Sequence, residues 1–171
     1  MIAGTLGGRR LRAPAGDATR PTSDRVREAI FNILGPPDGA RVLDLFAGAG
    51  GLGIEALSRG AGSAVFVERG AQALAAIERN LAAVGVEATV VRQDVLRFLA
   101  RADGAFDLVF CDPPYDSAAG LAGPLAEHLP AFCAEDARIV TESDKRNPLV
   151  LPFPLLVERT YGDTRIAIHG L

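Results

Sequence analysis

The chain has 171 residues, of which 49% are hydrophobic and 23% charged, and its net charge is −3. That length and balance fit one domain, residues 1–171, with a core of ordinary size. No run of 18 apolar residues occurs and the opening MIAGTLGGRRL lacks an apolar signal segment, so a membrane span and a secretory leader are not expected.

The first 40 residues read as an extension. MIAGTLGGRRLRAP has apolar positions and a Gly-Gly pair, which predicts a small β-hairpin. GDATRPTSD reads as a loop. SDRVREAIFNIL predicts a helix with Thr22 or Ser23 as its N-cap and Val26, Ile30, Ile33 and Leu34 on one face. A net negative charge argues against a nucleic-acid partner, but the charge is unevenly spread. Residues 1–30 hold six arginines against three acids. Arginine suits phosphate forks and base stacking better than lysine does.

From residue 41 strands and helices alternate. RVLDLF leads through a glycine loop to the helix GLGIEALSRG. AVFVE leads to AQALAAIERNLAAVG, where Gly85 is the expected C-cap. ATVVR leads to VLRFLA, FDLVFC to a helix around AGLAGPLAEHL, and ARIVTE follows. This order predicts a doubly wound, mostly parallel α/β sheet over residues 41–171. The end differs: LLVERTY and TRIAIHG, joined by a turn at Gly-Asp, predict an antiparallel hairpin.

LDLFAGAGGLG places Gly48, Gly50 and Gly53 in G-x-G-x-x-G spacing after a strand. Glu68, at the end of the next strand, stands where a ribose-binding acid is expected, able to accept both hydroxyls. A nicotinamide dinucleotide fits this much equally well. Asp44, inside the first strand, tilts the choice. A carboxylate suits a pyrophosphate poorly but suits the cationic amino-acid end of S-adenosylmethionine. Asp94, after the third strand, is placed either to accept from an adenine amine or to cap a helix. Asp44, Glu68 and Asp94 end successive strands, where open α/β sheets bind ligands.

FCDPPYDS ends the fourth strand with Asp112, Pro113, Pro114 and Tyr115. An exocyclic base amine attacks a methyl sulfonium only if its lone pair is aimed and its protons are held. Asp112 and the Pro113 carbonyl offer acceptors, Tyr115 a stacking face worth about 1–3 kcal/mol, and the prolines a rigid turn without competing amide hydrogens. Asn80 reads as a capping or packing residue. Glu142 fits a substrate contact or a surface salt bridge equally. Glu55 faces either the helix dipole or the N-terminal helix. His128 and His169 are isolated, so no metal is expected, and Cys111 and Cys133 read as reduced core thiols of a cytoplasmic protein.

LDLFAGAGGLGIEALSRGA with the Asp-Pro-Pro-Tyr turn resembles the class I amino-methyltransferases. TRPTSDRVREAIFNIL, the GGRRL opening and the late VTE strand more particularly resemble the bacterial RsmD family, over nearly the whole chain. The resemblance implies a seven-stranded sheet with an antiparallel last strand. It implies S-adenosylmethionine as donor, held around Asp44, Phe46, Ala47, Gly48, Gly50, Glu68, Arg69, Asp94 and Val95. It implies N2 methylation of guanine 966 in 16S ribosomal RNA by a monomer acting on a small subunit or its precursor. Asp112 to Tyr115 would hold the target amine, and Arg9, Arg10, Arg12, Arg20, Thr22 and Arg25 would meet the RNA near the pocket mouth. The rivals are a DNA adenine-N6 methyltransferase, an NAD-dependent oxidoreductase and an inactive ribosome-assembly factor. The chain lacks room for a DNA target-recognition domain, shows no hydride-site residue and keeps its motifs intact.

Overall fold

Helix α1, Asp24–Leu34, begins where Ser23 caps it, with Ser23 Oγ accepting from the Val26 amide at 3.2 Å. The computed structural model describes residues 4–6, 8, 11–12, 23–101 and 104–171. The hairpin expected at the N-terminus falls largely outside these. Residues 4–6 form a turn rather than a strand, held where the Thr5 amide donates to the Ser58 carbonyl and the Leu6 amide to Ser58 Oγ. The buried face of α1 is Val26, Arg27, Ile30 and Phe31, while Ile33 and Leu34, expected on it, are only partly buried. The face turns because Phe31 packs on Phe110 of the sheet, ring centroids 5.8 Å apart.

The strands are β1 (Arg41–Leu45), β2 (Ser63–Glu68), β3 (Thr89–Arg92), β4 (Phe106–Cys111), β5 (Cys133–Asp144), β6 (Leu155–Tyr161) and β7 (Thr164–Gly170). Their order across the sheet is β3-β2-β1-β4-β5-β7-β6. β1 to β5 are parallel, and β7 runs antiparallel to both β5 and β6. The sequence reading of this topology, including the terminal hairpin, holds. β5 is longer than the expected ARIVTE because its early residues pair with Phe106 across an irregular register.

Alternation along each strand sorts the core into two layers. Val42, Phe66 and Phe110 pack with α1, with α2 (Gly51–Ser58) and with α3 (Ala71–Val84). Leu43, Leu45, Val67, Val109 and Cys111 face α4 (Val95–Leu99) and α5 (Ala118–His128). Gly85 ends α3 with φ 68°, as its C-cap position requires.

A buried ion network docks α1. Glu55 is fully buried on α2. Its Oε1 accepts from Arg59 Nε at 2.8 Å, and Oε2 lies 3.7 Å from Arg27 Nε. Asp24 also pairs with Arg27, and the Arg59 guanidinium lies over the Phe31 ring at 4.9 Å. Glu55 is therefore aimed at the N-terminal helix and not at the helix dipole. Removing this buried carboxylate leaves Arg59 without an acid and Arg27 with only the exposed Asp24, which costs about 3–5 kcal/mol. Glu55→Ala should lower the urea midpoint accordingly at unchanged m, and a loss below about 1 kcal/mol would show the network to be solvated.

Candidate active site

The carboxyl ends of β1, β2, β3 and β4 lie along one edge of the sheet. Leu45 pairs with Cys111 and with Val67, so Phe46 and Asp112 leave their strands at the same level. Among the described non-glycine residues only Phe46 has positive φ, at 60°. A bulky residue held there marks strain at the start of a loop whose geometry is over-determined by its surroundings. Ala47 donates its amide to the Val67 carbonyl and Gly50 to the Ala47 carbonyl, which winds the loop. Gly50 caps α2 with φ 80°. At Gly53 a Cβ would sit 2.4 Å from the Phe66 ring and 3.0 Å from Asp44 Oδ2, so glycine there lets α2 approach the sheet.

That approach brings the Gly53 amide to Asp44. Asp44 is 2% exposed, and its Oδ2 accepts from Gly53 N at 2.9 Å. Burial is the main cause that raises its carboxyl from 3.8 to about 7; the Gly53 bond opposes this and the Glu68 charge adds to it. A buried carboxylate so poorly compensated fits a cationic ligand group. Glu68 Oε2 accepts from Gly48 N at 3.0 Å, while Oε1 accepts from the amides of Arg69 and Gly70 at 2.8 and 2.7 Å. A carboxylate has about four acceptor positions. Three N–H groups already use this one, so the expectation that it accepts two ribose hydroxyls narrows to one further bond on Oε2. Asp94 caps α4, Oδ1 accepting from Leu96 N and Arg97 N at 3.1 and 3.3 Å, and Oδ2 takes Arg69 Nη1 at 3.4 Å. The cap reading of Asp94 thus holds, with Oδ2 turned to the edge. Val95 is buried as the first residue of α4.

The Asp-Pro-Pro-Tyr turn is braced from two sides. Asp112 and Tyr115 are half-buried. Asn147 Nδ2 donates to the Tyr115 carbonyl at 2.8 Å, Ser117 closes on the Pro114 carbonyl through both its amide and its hydroxyl, and the Tyr115 hydroxyl lies 3.4 Å from Thr164 Oγ1. Asn147 and Thr164 were not foreseen. The Asn-Pro pair at 147–148 marks a turn, but nothing local shows that it reaches residue 115. Arg25 lies over the Tyr161 ring at 6.0 Å, on the hairpin that carries Thr164, which places it on this flank. Arg12 is tied in differently. Asn80, 1% exposed, accepts from the Arg12 amide and donates to the Arg12 and Ala49 carbonyls at 2.8, 3.0 and 2.9 Å. Its packing role therefore joins the N-terminal segment to the glycine loop. Glu142 is 4% exposed, so it is not a surface salt-bridge residue. Arg9, Arg10, Arg20, Pro21 and Thr22 lie outside the described residues.

A seven-stranded sheet with β7 inserted antiparallel between β5 and β6, a glycine loop after β1 and an acidic diproline turn after β4 make the architecture of a class I methyltransferase. A family model described as Conserved hypothetical protein 95 matches residues 1–170. YlbH of Bacillus subtilis is 42% identical, over 99% of this chain and 97% of its own. Ribosomal RNA small subunit methyltransferase D of Escherichia coli is 39% identical, over 87% of this chain and 76% of its own. The solved structure of a hypothetical protein from Thermus thermophilus superposes with a TM-score of 0.86 at 32% identity, covering 99% and 98% of the two chains. The chain belongs to the RsmD family of S-adenosylmethionine-dependent methyltransferases.

The raised carboxyl of Asp44 has a consequence for stability. Between pH 3.8 and about 7 the folded state holds this proton and the unfolded state does not, so stability falls as pH rises through that window. Asp44→Asn should abolish this component. The Tm difference, wild type minus variant, is expected to fall between about pH 4 and 7 in the ligand-free protein. A difference independent of pH would show Asp44 to be ionised throughout.

Proposed function

We propose that the protein methylates the exocyclic N2 amine of a guanine in 16S ribosomal RNA, guanine 966 by its family, with S-adenosylmethionine as donor. The observation that carries this reading is the braced Asp112–Tyr115 turn, which leaves β4 level with Phe46 at the start of the glycine loop, two residues beyond the Phe110 that pairs with Asp44. When bound, S-adenosylmethionine supplies a methyl group on a sulfonium. Asp44 would offset the charge of its amino-acid end, Glu68 would take a ribose hydroxyl, and Asp94 Oδ2 would accept from the adenine amine. Phe46, Ala47, Gly48, Gly50, Arg69 and Val95 would line the same cleft.

Asp112 and the Pro113 carbonyl accept the two amine protons and so turn the nitrogen lone pair outward. Tyr115 supports the base, its backbone fixed by Asn147 and its hydroxyl by Thr164. Transfer of that methyl would leave one amine proton to be lost, and with Asp112 and the Pro113 carbonyl holding the amine, water can take it. No strong base is required. The target must be unstacked before it reaches the turn. Arg9, Arg10, Arg12, Arg20, Thr22 and Arg25 would meet RNA phosphates. The enzyme would act as a cytoplasmic monomer on the small subunit or its precursor. An adenine amine of DNA would suit the same turn, but the N-terminal block and the named relatives favour ribosomal RNA.

The acceptor role is separable from base catalysis. Asp112→Ala should slow single-turnover methyl transfer about 10²-fold or more with cofactor affinity nearly unchanged. Asp112→Asn should be milder, because its amide oxygen still accepts. Tyr115→Phe should be nearly silent and Tyr115→Ala strongly impaired. Equal loss in Asn and Ala, with a rate rising through a carboxylate pKa, would make Asp112 a general base instead.

A further inference from the structure

Several arginines of this molecule are neutralised by acids. Among the described residues, Arg41 pairs with Asp107, Arg146 with Asp144 and Arg165 with Glu158, while Arg27 and Arg59 share Glu55. Others, such as Arg79, Arg138 and Arg159, have no carboxylate partner among the described residues either, but they stand singly, whereas one surface gathers three such arginines in one hollow. Arg92 at the end of β3, Arg97 in α4 and Arg101 just beyond it are exposed, and among the described residues none has a carboxylate partner. With Arg69, Gln93 and Asp94 they line one concavity of about 440 Å³. Its lining holds four guanidiniums and one carboxylate, on a chain whose net charge is −3. That carboxylate, Asp94, caps α4 through Oδ1 and meets Arg69 at 3.4 Å through Oδ2, so the hollow adjoins the proposed cofactor cleft on the side of these two residues.

The fold explains these residues only singly. Arg97 in the last turn of α4 complements the helix dipole. Arg92 on an edge strand guards against strand pairing. Neither reason requires three unpaired arginines from successive elements to face one hollow, where they repel one another. A polyanion relieves that repulsion, and arginine's fork matches phosphate oxygens. The hollow also stands at the carboxyl edge of the sheet. Three strand spacings separate β3 from β4, which puts it about 14 Å from the Asp112 turn. Arg25 and Tyr161 lie on the other flank of that turn.

We propose that the Arg92–Arg97–Arg101 concavity docks the sugar-phosphate backbone of the substrate RNA beside the target nucleotide, so that the RNA straddles the cofactor cleft. This rests on the RNA-methyltransferase reading above. The contacts are to phosphate, so they set affinity and orientation and carry no sequence preference.

The test is the triple variant Arg92→Gln, Arg97→Gln, Arg101→Gln, with Arg138→Gln, exposed on β5 at the level of the amino ends of β1 and β4, as a control for lost charge. Affinity for a 16S ribosomal RNA fragment is measured across a salt series, S-adenosylmethionine binding by calorimetry, and methyl transfer at saturating RNA in a single turnover. Each lost phosphate contact lowers the salt slope by about 0.7–0.9. The triple variant should therefore be shallower by about 2 and bind RNA about 10-fold or more weakly at low salt. Cofactor affinity and the saturated rate should stay at the wild-type values, and the control should shift the slope by less than about 0.3. An unchanged slope, or an equal change per charge in the control, would overturn the proposal. So would weakened cofactor binding with intact RNA binding, since the hollow would then serve the adenine end. A wild-type protein that methylates no RNA would instead sink the functional reading itself.

Discussion

One hydrogen bond sets the geometry of this edge: the Gly53 amide donating to the buried carboxylate of Asp44. It fastens α2 to β1 at the depth that only a glycine permits, because any Cβ at residue 53 would run into the Phe66 ring. The loop between them is thereby forced through a positive φ at Phe46 and a left-handed turn at Gly50. The cost is a carboxyl group held out of water with one amide for compensation, which raises its pKa to about 7. A cation arriving at this edge relieves that cost.

The remaining parts of the site are braced against this loop or against its neighbouring strand. Glu68 gathers three backbone amides, one of them from Gly48, and so fixes the far wall of the same loop. Asn80 ties the loop to Arg12 from behind. Across the β1–β4 pair, the diproline turn gains its rigidity partly from φ restriction and partly from Asn147 and Ser117. The polar side chains on both sides are used mainly to hold backbone, the stiffness that the proposed transfer by aim, without a strong base, would need.

What was legible in the sequence was local. The glycine spacing, the acids at strand ends and the Gly-Asp turn each state their own conformation within a few residues, so the alternation of elements and the antiparallel end could be read directly. The doubt over Asp94 also resolved locally, since a cap is made within three residues. What was not legible depends on elements distant in sequence. Glu55 meets Arg27 only because α1 lies on α2, and the face of α1 shifts from Ile33 and Leu34 toward Phe31 because Phe110 is there to receive it. Arg69, Arg92, Arg97 and Arg101 are scattered through three segments that look ordinary one at a time, and only the sheet order gathers them. The early arginines are close together in sequence, which is a weaker sign of a shared surface than closeness in space.

The chemistry of the product is the most direct test of methylation at N2. Mass spectrometry of nucleosides from small-subunit ribosomal RNA, taken from cells with and without this protein, reads it without any assumption about the site. Loss of one N2-methylguanosine per small subunit, restored by the wild-type chain and not by Asp112→Ala, is the result the account requires. An unchanged N2-methylguanosine content, or loss of a methylated adenine in its place, would contradict it.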